Sequence, residues 1–336
     1  MNNNEEMKSL GTSNENASPA VDTSYMDISL TTQNLLYTLN LDNNQAIQNF
    51  AINSSMIFTT QRNKDEIILA KSDISGTTAT QDNSVNVNNA GHGQTLEYIT
   101  KGPAINSLLF SFHSLNGWST EIGLLDLSKF NTTSSCDSSE FKQFVDLEYA
   151  TSLNVSAATS ITRADAALSS DQSTILIWTR SKERDTFTGY DFYTFCSELS
   201  NSASNTVSFK NNKYMKEACK FCFTADTSRM LGVPTSFQGI ELSNESNGVY
   251  SIYVVSGNEN SAESQKATNR IYRITSNGVL KKAGRFIHPY FNPGVKYEIE
   301  GVKISGDNLL FGLVRAGTGV NKKNPFIMKI PKSTMQ

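Results

Sequence analysis

Charge is scarce in this chain of 336 residues: Asp, Glu, Lys and Arg together make up 18 % of it, and the formal net charge is −3. With 29 basic against 32 acidic residues there is no basic footprint for a phosphate backbone, which excludes a nucleic-acid binder. Lys281–Lys282 and Lys322–Lys323 are isolated pairs and read as solvated loop charges. No run of about 18 apolar residues occurs, so no helix is expected to span a bilayer. Long stretches with apolar residues at helical spacing are also missing; the best short candidate lies around Asn211 to Cys222. Histidine is rare, with only His92, His113 and His288, and no G-x-S-x-G nucleophile elbow accompanies any of them. Of the cysteines Cys136, Cys196, Cys219 and Cys222, the last two have C-x-x-C spacing. No second such pair completes a zinc set, and the βαβ setting of a redox site is absent. They read as two half-buried small residues or one disulfide, and no metal or cofactor is expected.

Asn, Ser and Thr are abundant instead, as in extracellular bacterial β-proteins. From Met1 to about Asp22 the chain is rich in Asn, Glu and Ser, with no apolar segment after a basic start. It is not a classical signal peptide, and its composition predicts a disordered tail over residues 1–24. A secreted protein with this start would leave the cell without a cleaved signal.

A phrase recurs five times in the remainder: a polar residue, alternating apolar residues, a turn, then a short hydrophobic strand. It reads Gln48-Asn-Phe-Ala-Ile52, Gln94-Thr-Leu-Glu-Tyr98, Ala164-Asp-Ala-Ala-Leu168, Gln238-Gly-Ile-Glu-Leu242 and Glu300-Gly-Val-Lys-Ile304. Period-two alternation means extended strand, and a further alternating strand follows each pair, for example Glu66–Ala70, Thr120–Leu125, Tyr190–Phe195, Asn269–Ile274 and Pro325–Ile330. Three strands with room for a fourth describe a propeller blade. The predicted fold is therefore all-β, a five-bladed β-propeller over residues 25–336, with units starting near 48, 94, 164, 238 and 300. A pair of β-sandwiches is the competing architecture. The strand Gln33–Leu39 precedes the first unit and is expected to complete the last blade, removing the open edge.

Alignment of the phrases puts Gln48, Gln94, Gln238 and Glu300 at one position, where they should ring one end of the central channel. Such groups can bond hydroxyls or phosphates of a polymer, or simply satisfy strand ends. The third unit offers Ala164 in phase and Arg163 one residue earlier, a guanidinium suited to phosphate. Glu97 and Glu241 align at a second position and read as pointing outward, to bond backbone between blades. With Asp165 and Glu300 they are the carboxylates of which a glycosidase would need two, about 5–5.5 Å apart for retention or about 6.5–9.5 Å for inversion. In Gly91-His-Gly-Gln94 the glycines permit a tight entry into the second unit, leaving His92 beside the axis, as a ligand contact or a buried structural residue. Trp118 follows a turn in Asn116-Gly-Trp-Ser, placed to stack on a sugar or to pack between blades, whereas Trp178 ends an apolar strand and belongs to the core. The aromatic segment Phe286–Phe291 is expected to pack on the last blade.

Three of these strings, Gln48–Ile52, Gly91–Glu97 and Asn116–Gly123, resemble the helveticin J family of large, heat-labile lactobacillus bacteriocins, over roughly residues 25–332. Total length, the late Ile299-Glu-Gly-Val302 and the lack of a signal peptide agree. The Gly-His-Gly element is also similar, more faintly, to teichoic-acid-C-like propellers of Gram-positive phage tails. The resemblance implies a secreted, monomeric antibacterial protein that recognises a Gram-positive envelope polymer, teichoic acid being one candidate, and kills without catalysis. Its ligand-binding residues would be Gln48, His92, Gln94, Trp118, Arg163, Gln238 and Glu300. The alternatives are a propeller glycosidase acting on wall or capsule polysaccharide, and a phage-derived adhesin that binds without killing.

Overall fold

All five phrases become strands, and each opens an antiparallel meander. In the computed structural model the described residues are 25–92, 94–182, 184–227, 237–257, 269–287, 296–316 and 324–336. The tail 1–24, His288, Lys322–Lys323 and the end of the aromatic segment lie outside them. The phrase strands are Ile47–Asn53, Leu96–Tyr98, Arg163–Leu168, Phe237–Leu242 and Lys296–Ser305, called here the first to fifth inner strands. The first leads into Met56–Asn63, Glu66–Ser75 and Thr78–Asn88, each antiparallel to the one before. The others repeat this course, and the inner strands touch in order around a closed circle, first to second, through to fifth and back to first. The fold is all-β and propeller-like.

The fifth meander runs Lys296–Ser305, Asn308–Ala316, Phe326–Pro331, and its fourth strand is Leu35–Asn40 from the other end of the chain. The expected closure is thus present, with Leu35 opposite Met328 and Thr38 opposite Phe326. A parallel pairing of Thr38–Asn40 with Thr78–Thr80 then fuses this meander to the first as one nine-stranded sheet.

No single core exists. Alternation sends successive side chains to opposite faces, and both faces of each meander are covered. Ile57 faces the last meander while Phe58 faces the second; Ile175 and Ile177 face the second while Leu176 and Trp178 face the fourth. The result is five apolar wedges, one between each adjacent pair of meanders. This explains the unbroken run Thr174-Ile-Leu-Ile-Trp178: a strand buried on both sides needs apolar residues on both. Trp178 is fully buried, as expected from sequence.

Two local expectations are corrected. Tyr190–Phe195 is not one strand: the strand Asp185–Asp191 ends there and a helix, Phe192–Asn201, begins. Asp191 caps it, its Oδ1 accepting from the Thr194 amide at 2.8 Å, and Phe192, Phe195, Cys196 and Leu199 form its buried stripe. In the Asn211–Cys222 region only Lys213–Glu217 is helical, and Cys219–Ala225 is the outer strand of the third meander. All four cysteines are free, so Cys219 and Cys222 form no disulfide.

The tightest packing falls where the inner strands meet. Gly239 lies against Gly301, Gly301 against Asn49, and the Asn49 amide donates to the Gln94 carbonyl. Gly301 has φ +74°, and a Cβ there would collide with the Asn49 carboxamide. Gly306 has φ +56° but open space around it. Gly301→Ala should therefore destabilise the protein by about 2–4 kcal/mol, and Gly306→Ala by only about 1 kcal/mol. Denaturant midpoints measure the difference; equal losses would show that the packing at Gly301 is unimportant.

Candidate functional site

A strand that alternated perfectly would send phrase positions one and four to opposite sides. Three inner strands break the alternation with a bulge: the register slips between Ile47 and Asn49, between Phe237 and Gly239, and between Glu300 and Val302. One extra residue restores both positions to the same side. Side chains then meet over the axis, both across the circle and between neighbouring strands. Gln94 on the chain entering the second inner strand donates through Nε2 to Gln238 Oε1 of the fourth at 2.6 Å, and Gln238 Nε2 donates to Glu298 Oε1 of the fifth at 2.6 Å. Gln48 turns instead to its own strand, donating to the Ala46 and Ile47 carbonyls at 3.3 and 3.2 Å. The ring anticipated from sequence is thus present in part, and it is sealed: Gln48, Gln94, Gln238 and Glu300 are 5, 1, 6 and 3 % exposed.

Position four carries the strongest interaction of the axis. Lys303 of the fifth inner strand donates through Nζ to Glu97 Oε1 of the second at 2.5 Å and reaches Glu241 Oε2 of the fourth at 3.5 Å. The sequence reading that sent Glu97 and Glu241 outward to backbone is therefore wrong, and for Glu241 the bulge between Phe237 and Gly239 is the reason. Lys303 occupies the same phrase position as the two glutamates, so the alignment already contained the cation. Burial pushes the Glu241 carboxyl well above its ordinary range, the neighbouring Glu97 adds to this, and Lys303 opposes it. Burial disfavours the Lys303 charge too, but the two carboxylates outweigh it and the ammonium is held above its usual range. The upward shift of Glu241 favours its neutral form beside the Lys303 ammonium, which brings the triad toward the charge balance that burial tolerates.

A second assembly lies beside the axis. The third inner strand has no bulge, so Arg163 and Asp165 project together, and Asp165 Oδ2 accepts from Arg163 Nη2 at 2.8 Å and Nε at 3.1 Å. The Arg163 guanidinium stands 4.3 Å from the Trp118 ring centre and 5.0 Å from that of Trp178. Arg180 follows, 5.1 Å from Trp178 and 4.8 Å from Phe237, with its own partner Asp185 at 2.8 Å. His92 adds a ring 4.4 Å from Trp118. Cations and aromatic rings thus alternate from Trp118 to Phe237, each cation–π contact contributing about 0.5–2 kcal/mol. Burial, then Arg163 and Arg62, hold His92 well below its ordinary pKa, so it is neutral. Burial raises Asp165 to about 6 against the pull of Arg163. Of the sequence candidates, His92, Trp118 and Arg163 come together here, apart from the Gln94–Gln238 contact. The described residues contain no cluster of three or more His, Cys, Asp or Glu able to hold a metal.

A profile of the family described as bacteriocin helveticin-J matches residues 24–331. A comparison with curated proteins returns no match. Among solved structures the chain is similar to a thermostable family-43 glycoside hydrolase, at 10 % identity, TM-score 0.42, covering 88 % of this chain and 92 % of that one. It is also similar to the WD40 domain of Toxoplasma gondii coronin, at 8 % identity, TM-score 0.36, covering 87 % and 74 %. Pseudomonas aeruginosa periplasmic gluconolactonase gives 8 % identity, TM-score 0.37, covering 86 % and 72 %.

Two outcomes follow from the axial triad. Lys303→Met leaves two glutamates buried without their cation and should cost about 3–5 kcal/mol in denaturant unfolding, with much of the loss recovered in Lys303→Met/Glu97→Gln/Glu241→Gln. A triple variant as unstable as the single would mean that the lysine acts through packing alone. The second concerns pH. A carboxyl whose folded pKa is raised keeps its proton after the unfolded chain has lost it, so its contribution to stability declines as pH rises past the ordinary value of 4.5. Glu241→Gln keeps that site neutral, and its melting temperature relative to wild type should climb between about pH 5 and about pH 8. A difference constant across that range would show that Glu241 titrates normally.

Proposed function

Because the chain belongs to the bacteriocin helveticin-J family, we propose that it is a secreted antibacterial protein, a five-bladed propeller that recognises a component of the Gram-positive envelope and inhibits the bearer without catalysis. The observation that carries this reading is the span of the family match, residues 24–331, which takes in all five inner strands. This span supports assigning the activity to the propeller as a unit. The state of the aligned carboxylates supports a non-catalytic action. A glycoside hydrolase holds its two carboxyl groups on either side of a sugar with water at hand. Glu97 and Glu241 are instead both engaged by Lys303, at 9 and 3 % exposure, with no room between them for a substrate. The buried glutamines and the triad act as the supporting axle, and recognition falls to the end of the propeller near His92 and Trp118.

Spot assays of the purified protein on live lactobacilli, run beside incubation with isolated cell walls, test the reading. Growth inhibition with wall binding and no soluble sugar released is the expected result. Released sugar would replace it with a glycosidase, and wall binding without inhibition would leave an adhesin.

A further inference from the structure

We infer that the groove between the first and second meanders is a binding site for a phosphate-free saccharide. It is formed by the turn joining Met56–Asn63 to Glu66–Ser75, the end of Thr78–Asn88, and the turn joining Ser107–Leu115 to Trp118–Asp126. Its volume is about 630 Å³, within the range of about 300–1,000 Å³ usual for small-molecule sites. Such sites are ordinarily lined by apolar side chains. Here the lining is Arg62, Asp65, Glu66, Asn88, Asn89 and Asn116, with Ser114 and Gly117, and none is apolar. A surface of that kind gains little from an apolar ligand and much from one covered in hydroxyls.

The donors and acceptors fit that class. A sugar hydroxyl donates and accepts at once; three asparagine amides offer both functions, the carboxylates accept, and the guanidinium donates. Within the described residues, the Glu66 carboxylate and the Asn116 carboxamide bond no protein group, and none of Arg62, Asp65 and Glu66 has an opposite charge within 4.0 Å. Asp65 is exposed and Arg62 and Glu66 are half-buried, so these charges face the groove and are left available. The frame is nonetheless fixed. The Ser114 amide donates to the Asn89 carbonyl at 3.0 Å, Ser114 Oγ donates to Asp65 at 3.3 Å, Arg62 Nε donates to the Lys64 carbonyl at 2.9 Å, and the Gly91 amide donates to the Asp65 carbonyl at 3.4 Å. Gly117 has φ +83°, and a Cβ on it would stand 2.6 Å from Arg62 Nη2, so the glycine makes room for the guanidinium.

Charge decides between saccharide classes. One arginine against two carboxylates gives the lining a net charge of −1. A phosphate-bearing polymer would set its anions against Asp65 and Glu66, and like charges placed together oppose binding. A neutral saccharide meets no such barrier. The inference rests on the lining alone and holds whether or not the protein kills.

Isothermal titration calorimetry of the full chain with three probes tests it: the trimer of N-acetylglucosamine, maltotriose, and a poly(glycerol phosphate). At least one trisaccharide should bind, the phosphate polymer should not, and Glu66→Gln/Asn88→Ala should weaken saccharide binding at least tenfold. If that variant fails to fold, hydrogen exchange on the wild type with the bound trisaccharide replaces it, and slowed exchange in segments 62–66, 88–89 and 114–117 is expected. Absence of trisaccharide binding, undiminished binding by the folded variant, unprotected segments, or polymer binding that the variant loses would each overturn the assignment. Saccharide binding without growth inhibition would retain this site and remove the bacteriocin reading; inhibition without saccharide binding would do the reverse.

Discussion

Five strands brought edge to edge around a circle leave almost no volume at its middle, and every side chain aimed there loses its water. Three of the groups so placed are Glu97, Glu241 and Lys303, from the second, fourth and fifth inner strands, of which only the last two are neighbours in the ring. Their mutual neutralisation is the condition for the circle to close, because two isolated carboxylates would push the second and fourth meanders apart. The same lack of space explains Gly239 and Gly301 one turn of the phrase away. Charge pairing and absent side chains are two answers to one steric demand.

Around this centre the molecule is built by repetition and loosened by exception. The wedges between meanders are interchangeable apolar fillings, whereas the third meander differs in every respect that concerns chemistry. Its inner strand lacks the bulge, its first position is an alanine, and it carries the helical insertion Phe192–Asn201. That exception lets Arg163 leave the axis and insert its guanidinium among Trp118 and Trp178. The alternating cation–aromatic file therefore grows from a strand without a bulge, and it locks the second, third and fourth meanders together on one side.

Much of this was legible in the sequence because repeats are robust to local error. The five phrases located all five inner strands, and Gln33–Leu39 was correctly read as the strand that completes the last meander. What failed has physical reasons. Tyr190–Phe195 alternates over six residues, a window in which the start of a helix and a strand look alike; the stripe Phe195, Cys196, Leu199 and the Asp191 cap become visible only when the window is extended. Period-two counting has no place for an extra residue, and this puts Glu241 on the wrong side of its strand. Lys303 shares the column of Glu97 and Glu241 in the phrase. The His92–Trp118–Arg163 contact and the polar groove join residues from separate units, and no periodicity within a strand reports on them.

The pairing of Leu35 with Met328 sets a clock on the molecule. The ring is sealed by residues from opposite ends of the domain, so a chain still being synthesised cannot yet close the circle. Non-local pairing of this kind is the slow step of folding, since loop closure precedes the contacts that reward it. Until then the edge strands stay open and the chain can still be drawn out as a thread. Any passage through a narrow exit that needs an extended chain has to be completed in that interval, before the last strand finds the first.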